Sequence, residues 1–141
     1  MSNLASQTAT RIKSLCAQGY EHYDTQDYKG ALRVFYQAWL EVPKPQTDWI
    51  EAGWVLTAIG DTYFRLNQFH QAREALNSAL HCPQAEGNPF IHLRLGQSLL
   101  EQGDIGNARR ELHRAYNVGG TAIFEREPEK YLAAIRDVVT Q

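Results

Sequence analysis

Small and large apolar residues recur at helical intervals in three stretches: "GYEHYDTQDYKGALRVFYQAWLEVP", "GDTYFRLNQFHQAREALNSALHCP" and "GQSLLEQGDIGNARRELHRAYNVG". Each opens on a glycine (Gly19, Gly60, Gly96) and carries an alanine twelve positions on (Ala31, Ala72, Ala108). A large apolar residue follows (Phe35, Leu76, Leu112), then a second alanine (Ala38, Ala79, Ala115). A polar turn and an apolar residue precede each first alanine: Asp27-Tyr28, Gln68-Phe69 and Asp104-Ile105. Small residues at fixed spacing let two helix axes approach, and large ones fill the gap beside them, which is ridge-into-groove packing of an antiparallel pair.

The pattern predicts helices near residues 8–24, 28–41, 48–66, 69–82, 89–102 and 105–117. Asn88-Pro89 places a cap ahead of a proline at the first helical position. Asp48, three residues before Glu51, matches a D-x-x-E form of the capping box, and Asp104 is positioned to cap another start. Pro43, Pro45 and Pro83 follow helix ends, where proline cannot continue the ladder. After Gly119-Gly120 a last helix is expected near 128–139, with Tyr131, Leu132, Ile135, Val138 and Val139 as one apolar stripe.

At these recurring glycine, alanine and aromatic positions the chain resembles the tetratricopeptide repeat family, whose unit is about 34 residues. The resemblance spans roughly residues 9–119 and implies an all-α solenoid of three helix hairpins plus a C-terminal capping helix. The expected organisation is a single domain over 1–141, with repeats near 9–43, 48–84 and 89–119 and the cap near 128–139. The first interval is lengthened by the insertion "KPQTDWIEA", and the third repeat ends in two glycines without a proline. A narrower resemblance lies in "NPFIHLRLGQ" and in the Gly-rich break followed by "IFE" and a proline. It is shared with small bacterial repeat proteins found beside polymorphic or secreted toxin genes, which implies an immunity or accessory role.

Composition narrows the function classes. The chain has 141 residues, 43% apolar and 21% charged, as in a soluble single domain with a continuous core. A net charge of −2 with scattered Lys and Arg disfavours nucleic acid as a partner. No run approaches the ~20 apolar residues of a membrane span, and "MSNLASQTATRIKSL" lacks a signal-peptide core. Cys16 and Cys82 form no disulfide framework, so a reducing, cytoplasmic setting is expected.

His81, Cys82 and His92 crowd one short window, "HCPQAEGNPFIHLRLG". Three ligands fall short of a tetrahedral zinc site, and a helix-to-helix corner explains the window better, so neither a metal nor a cofactor is expected. Cys16 and His22 lie on different faces of one helix. Catalytic signatures such as G-x-S-x-G, H-E-x-x-H or a phosphate loop are missing, and no enzyme is expected.

In the family's architecture the first helix of each pair lines a concave groove. Phased on the glycines, the groove residues from the first pair are Tyr20, Tyr23 and Asp24, with Lys13 and Cys16 alongside. The second pair supplies Trp54, Asp61, Phe64 and Arg65, with Thr57 between them, and the third Phe90, Leu93, Gln97, Leu100 and Glu101. Such an aromatic list calls for cover. Either the C-terminal helix or the 44–52 insertion fills the groove, or a partner segment docks there. Some family members clamp a C-terminal carboxylate with Lys, Arg and Asn. The corresponding positions here are Cys16, Tyr20, Thr57, Asp61, Leu93 and Gln97, and that clamp is missing. The expected function is a non-catalytic module binding another protein or peptide, as an immunity protein for a bacterial toxin or, alternatively, a secretion chaperone or adaptor for an effector or apparatus component. Self-association through the same rings stays open.

Overall fold

The computed structural model describes residues 4–139. Those residues are all-α, with no strand among them. They divide between Glu86 and Gly87 into an N-terminal and a C-terminal unit.

The N-terminal unit holds two helical hairpins. The first pairs α1 (Ser6–Asp24) with α2 (Tyr28–Glu41), and the second pairs α3 (Ile50–Arg65) with α4 (Phe69–Leu80). α3 also packs on α2 and on α1, so it is the central element of the unit. The recurring small residues act as the pattern implies. A Cβ added at Gly19 would lie 2.4 Å from the Phe35 ring, and one at Gly60 would lie 2.5 Å from Leu76. Ala31, Phe35, Ala38, Ala72, Leu76 and Ala79 are all fully buried.

The insertion after α2 forms a 3-10 turn, Gln46–Asp48, rather than a helical start. α3 therefore begins at Ile50 behind Trp49, which caps nothing with its side chain. The D-x-x-E expectation fails here because Asp48 is used inside that turn. Gln46 Nε2 donates to the Trp39 carbonyl at 2.9 Å, and Trp49 Nε1 donates to the Pro43 carbonyl at 2.8 Å, tying the insertion to its own flanks.

The C-terminal unit pairs α5 (Pro89–Glu101) with α6 (Ile105–Gly119). Its glycine contact is the third of the series: a Cβ at Gly96 would lie 2.7 Å from Leu112. Asn88 caps α5 as expected, accepting from the Phe90 and Ile91 backbone N–H groups at 2.9 and 3.4 Å. Asp104 occupies the α6 cap position but accepts from the Asn107 side chain instead of the backbone. A 3-10 turn, Thr121–Phe124, and a short helix, α7 (Glu129–Ala133), complete the unit.

The expected helix over 128–139 is thus α-helical for little more than one turn and continues as turns. Its stripe is kept in part: Tyr131, Ile135 and Val139 are buried, Leu132 is half-buried, and Val138 faces solvent. Arg109 Nη1 donates to the Ala134 carbonyl at 2.5 Å, within the residues where the regular ladder lapses.

Candidate functional site

The residues expected to line one face divide sharply by exposure. Tyr20, Asp24, Trp54 and Arg65 are exposed, while Tyr23, Phe90, Leu100 and Glu101 are half-buried. Asp61, Phe64, Leu93 and Gln97 are buried.

In the N-terminal unit, α1 and α3 bring their candidates together. Arg65 Nε donates to Tyr23 Oη at 2.8 Å, and Tyr23 Oη donates to Asp61 Oδ1 at 2.9 Å. One α1 hydroxyl is thereby held between two α3 side chains a helical turn apart, which satisfies the buried Asp61 carboxylate. The Arg65 guanidinium also sits over the Tyr23 ring, 5.8 Å from its centroid. Tyr23 stands edge-on to Tyr20 at 5.6 Å and to Tyr28 at 5.3 Å, and Tyr20 packs edge-on against Phe35 at 5.0 Å. Further along the same pair of helices, Lys13 Nζ lies 5.7 Å from the Trp54 ring centre. Trp54 keeps 45% of its surface exposed and Tyr20 36%, so these are large rings held in place with part of each left open. Cys16, also on α1, is half-buried, and burial pushes its thiol up to about 11, which keeps it protonated and unreactive. Phe64 packs against Phe69, with ring centres 5.8 Å apart.

In the C-terminal unit the candidates on α5 are engaged by the chain's own C-terminal segment. Arg94 Nη1 donates to Gln97 Oε1 at 2.8 Å and to Glu127 Oε1 at 2.9 Å, and Gln97 Nε2 donates to the same Glu127 oxygen at 2.7 Å. The Arg94 guanidinium also stacks 4.8 Å from the Phe90 ring centre. One turn on, Glu101 accepts from Tyr131 Oη at 2.6 Å and pairs with Lys130 Nζ at 2.6 Å. Burial raises the Glu101 carboxyl, but the Lys130 and Tyr131 hydrogen bonds outweigh it and hold it below its ordinary value. Burial, with the bond to Glu101, drives the Tyr131 phenol well above the usual tyrosine range.

Arg94, Glu127 and Lys130 were not among the expected site residues. Arg94 stands three positions before Gln97 and seven before Glu101, so a cation on the same helical face was visible in the spacing. Nothing local marked Glu127 as its partner, which lies 33 residues away.

The histidine–cysteine window resolves into separate pairings. His81 Nδ1 donates to the Asn77 carbonyl at 2.8 Å, and Cys82 Sγ reaches the Ser78 carbonyl at 3.7 Å. His92 Nδ1 donates to Glu111 Oε1 at 2.6 Å, both side chains nearly sealed, and Arg114 Nη1 completes the carboxylate at 3.0 Å. No group of three or more His, Cys, Asp or Glu side chains among the described residues is gathered for a metal. No helix among them is long and apolar enough to cross a membrane.

Known proteins resemble this arrangement in fold. A tetratricopeptide repeat family model matches residues 55–80, most of α3 and all of α4. No curated protein matches the chain in sequence. Among solved structures, the Yersinia enterocolitica type III secretion chaperone SycD, in complex with a peptide of the translocator YopD, is 15% identical. It covers 94% of this chain and 93% of its own, with a TM-score of 0.71. The first tetratricopeptide domain of Spaghetti (RPAP3), bound to an HSP90 peptide, is 16% identical over 91% of this chain and 92% of that one, with a TM-score of 0.69. The second such domain of human RPAP3, in complex with an HSP70 peptide, is 9% identical over 95% and 99%, also with a TM-score of 0.69. At these identities the likeness is one of fold, and it identifies the architecture as helical hairpins of the tetratricopeptide type, in the α-solenoid class.

Proposed function

We propose that the chain acts as a single, non-catalytic tetratricopeptide domain that captures a segment of another protein on the α1–α3 face. The observation that carries this reading is the pair of half-open rings, Trp54 and Tyr20, held between Lys13 and the Arg65–Tyr23–Asp61 chain. Rings fixed by their neighbours lose little conformational freedom on binding, and partly exposed Trp and Tyr are frequent anchors of interfaces. Lys13, Arg65 and Asp24 flank them with both signs of charge, which would set the direction of a docked segment.

Two cellular roles use such a face. The likeness to SycD, itself a secretion chaperone in complex with a translocator peptide, favours a chaperone or adaptor. The sequence resemblance to repeat proteins beside toxin genes favours immunity. The chain departs from a carboxylate clamp at Cys16, Tyr20, Thr57 and Asp61, so a chaperone-tail ligand of the HSP90 or HSP70 kind does not carry over.

The test is a partner recovered by pull-down and identified by mass spectrometry, then titrated against Trp54→Ala. The variant should weaken the complex by roughly tenfold or more. An unchanged affinity with an intact fold would remove this face as the interface. Co-expression then separates the roles: an immunity protein rescues cells from its partner's activity, whereas a chaperone keeps its partner soluble and leaves that activity intact.

A further inference from the structure

A second face of the N-terminal unit carries a different chemistry. A cleft of about 430 Å³ opens between α2 and α4 with α3 as its floor. Tyr36 and Trp39 line it from α2, Tyr63 from α3, and His70 and Glu74 from α4, over an aliphatic base of Leu56 and Ile59. On α3, Leu56, Ile59 and Tyr63 recur at helical spacing on one stripe, while Trp54 and Asp61 belong to another, so this cleft is separate from the face proposed above.

The phenol oxygens and the Glu74 carboxylate supply acceptors to the cleft, beside donors on Trp39, Gln71 and Ser78. Tyr36 Oη and Tyr63 Oη lie 3.0 Å apart, one donating to the other, with their rings crossed at 70°. That bond uses one of the two hydroxyl hydrogens and leaves the other together with oxygen lone pairs. Burial pushes the Tyr36 phenol up to about 12, so it stays neutral. Arg73 Nη2 lies 3.3 Å from His70 Nδ1; a guanidinium can only donate, so Nδ1 accepts and the ring hydrogen lies on Nε2. Glu74 keeps 66% of its side chain exposed and meets Arg73 only at 3.9 Å. The lining therefore holds three π faces and one carboxylate, with no lysine or arginine.

We propose that this cleft binds an arginine side chain of a partner protein. A guanidinium stacks on aromatic faces and presents parallel N–H donors to a carboxylate, matching the rings and Glu74 together. A quaternary ammonium would use the rings but has no N–H for Glu74 or the phenol oxygens. A lysine ammonium is compact and strongly hydrated, and suits a planar slot less well. The arginine stem packs on Leu56 and Ile59. That the arginine belongs to a polypeptide follows from Leu40, one turn beyond Tyr36 on the same side of α2 and 80% exposed. A free small cation leaves that leucine in water, whereas a chain entering the cleft covers it.

The test follows the ¹⁵N-labelled indole resonance of Trp39, assigned through Trp39→Phe, in the full chain. The probes are acetyl-Gly-Arg-Gly-amide, its citrulline counterpart and tetramethylammonium. The arginine peptide should shift the resonance saturably, and citrulline, which lacks the charge, should bind at least roughly tenfold more weakly. Glu74→Gln, an exposed change that leaves the Trp54 resonance in place, should weaken the arginine peptide by about tenfold. Equal response to citrulline, tetramethylammonium binding as tightly as the peptide, an effect surviving Glu74→Gln, or no saturation up to about 50 mM would each overturn the assignment.

Discussion

The candidate faces of α3 and α5 are built on one plan and finish in opposite states. Each helix packs its glycine against a leucine of its hairpin partner, Gly60 on Leu76 and Gly96 on Leu112. On α3, Trp54 remains 45% exposed under Lys13, and the face ends at the exposed Arg65. On α5, every residue from Ile91 to Leu99 is buried, and the polar ones are satisfied inside the fold. On α5, part of this closure comes from the chain's own C-terminal segment. After α6 the chain returns as Glu127, Lys130 and Tyr131 and occupies the hydrogen-bonding positions of Arg94, Gln97 and Glu101. A final helical pair needs such a cover, because a repeat cannot bury its apolar face alone. The same helical position is thus partly open in one unit and closed in the other.

The largest test of this contrast is Glu127→Ala. It removes the carboxylate shared by Arg94 and Gln97, whose side chains are almost sealed. Deleting one partner of a buried charged pair leaves the other desolvated, and the expected loss is about 3 kcal/mol, read from the urea midpoint. Asp24→Ala, at the exposed end of α1, should stay within about 0.5 kcal/mol. If the two variants cost the same, α5 is not closed by its own C-terminal segment in solution.

A smaller effect is expected from Tyr131→Phe, which deletes only the 2.6 Å bond to Glu101. A hydrogen bond to a charged acceptor contributes about 1.5 kcal/mol. Its pH dependence distinguishes it from a packing defect. Glu101 is held below its ordinary 4.5, so its share of stability is present above that pH and is lost as pH falls through the lowered value. The Tyr131 phenol is raised above its ordinary 10.0, so its share is present below that pH and is lost as pH rises through the raised value. The gap between wild type and Tyr131→Phe should therefore hold steady between those limits and narrow in acid. A gap unchanged in acid would place the effect in packing.

The contrast also explains what could be read in advance. Gly19, Gly60 and Gly96, with Phe35, Leu76 and Leu112, were legible because each contact closes within one hairpin, at a fixed spacing. Asn88 was legible because its cap is a contact of two or three residues. Asp48 matched an equally local motif and failed, since the insertion preferred to fold onto Trp39 and Pro43. The exposure of the candidate face was the least legible feature. Gln97 looks like a groove residue on its own helix, yet it is buried and bonded to Glu127, 30 positions later. The Tyr36–Tyr63 cleft was missed for the same reason: its lining comes from two hairpins, and the bond across it joins one tyrosine of each.

The weakest effect lies at the turns, where the two units differ by a single residue type. All three hairpins end their first helix in the same way. In each, one backbone N–H bonds back three residues and the next bonds back five: Gln26 and Asp27, Asn67 and Gln68, Gly103 and Asp104. This is the Schellman arrangement, which needs a left-handed residue at its apex. The C-terminal unit places Gly103 there at φ 83°, while the N-terminal unit places Gln26 at 66° and Asn67 at 60°. A left-handed residue with a Cβ costs about 1–2 kcal/mol, and a glycine gives back about 0.4–1 kcal/mol through the freer unfolded chain. Gln26→Gly should therefore stabilise by roughly 0.5 kcal/mol, and Gly103→Ala should destabilise by a similar amount. Asn67→Gly should gain less, because asparagine tolerates this region better than glutamine. Equal and negligible changes at all three sites, measured by urea unfolding, would mean that the turns relax out of the left-handed geometry in solution. The shared hairpin plan would then rest on the contacts of Gly19 with Phe35, Gly60 with Leu76 and Gly96 with Leu112.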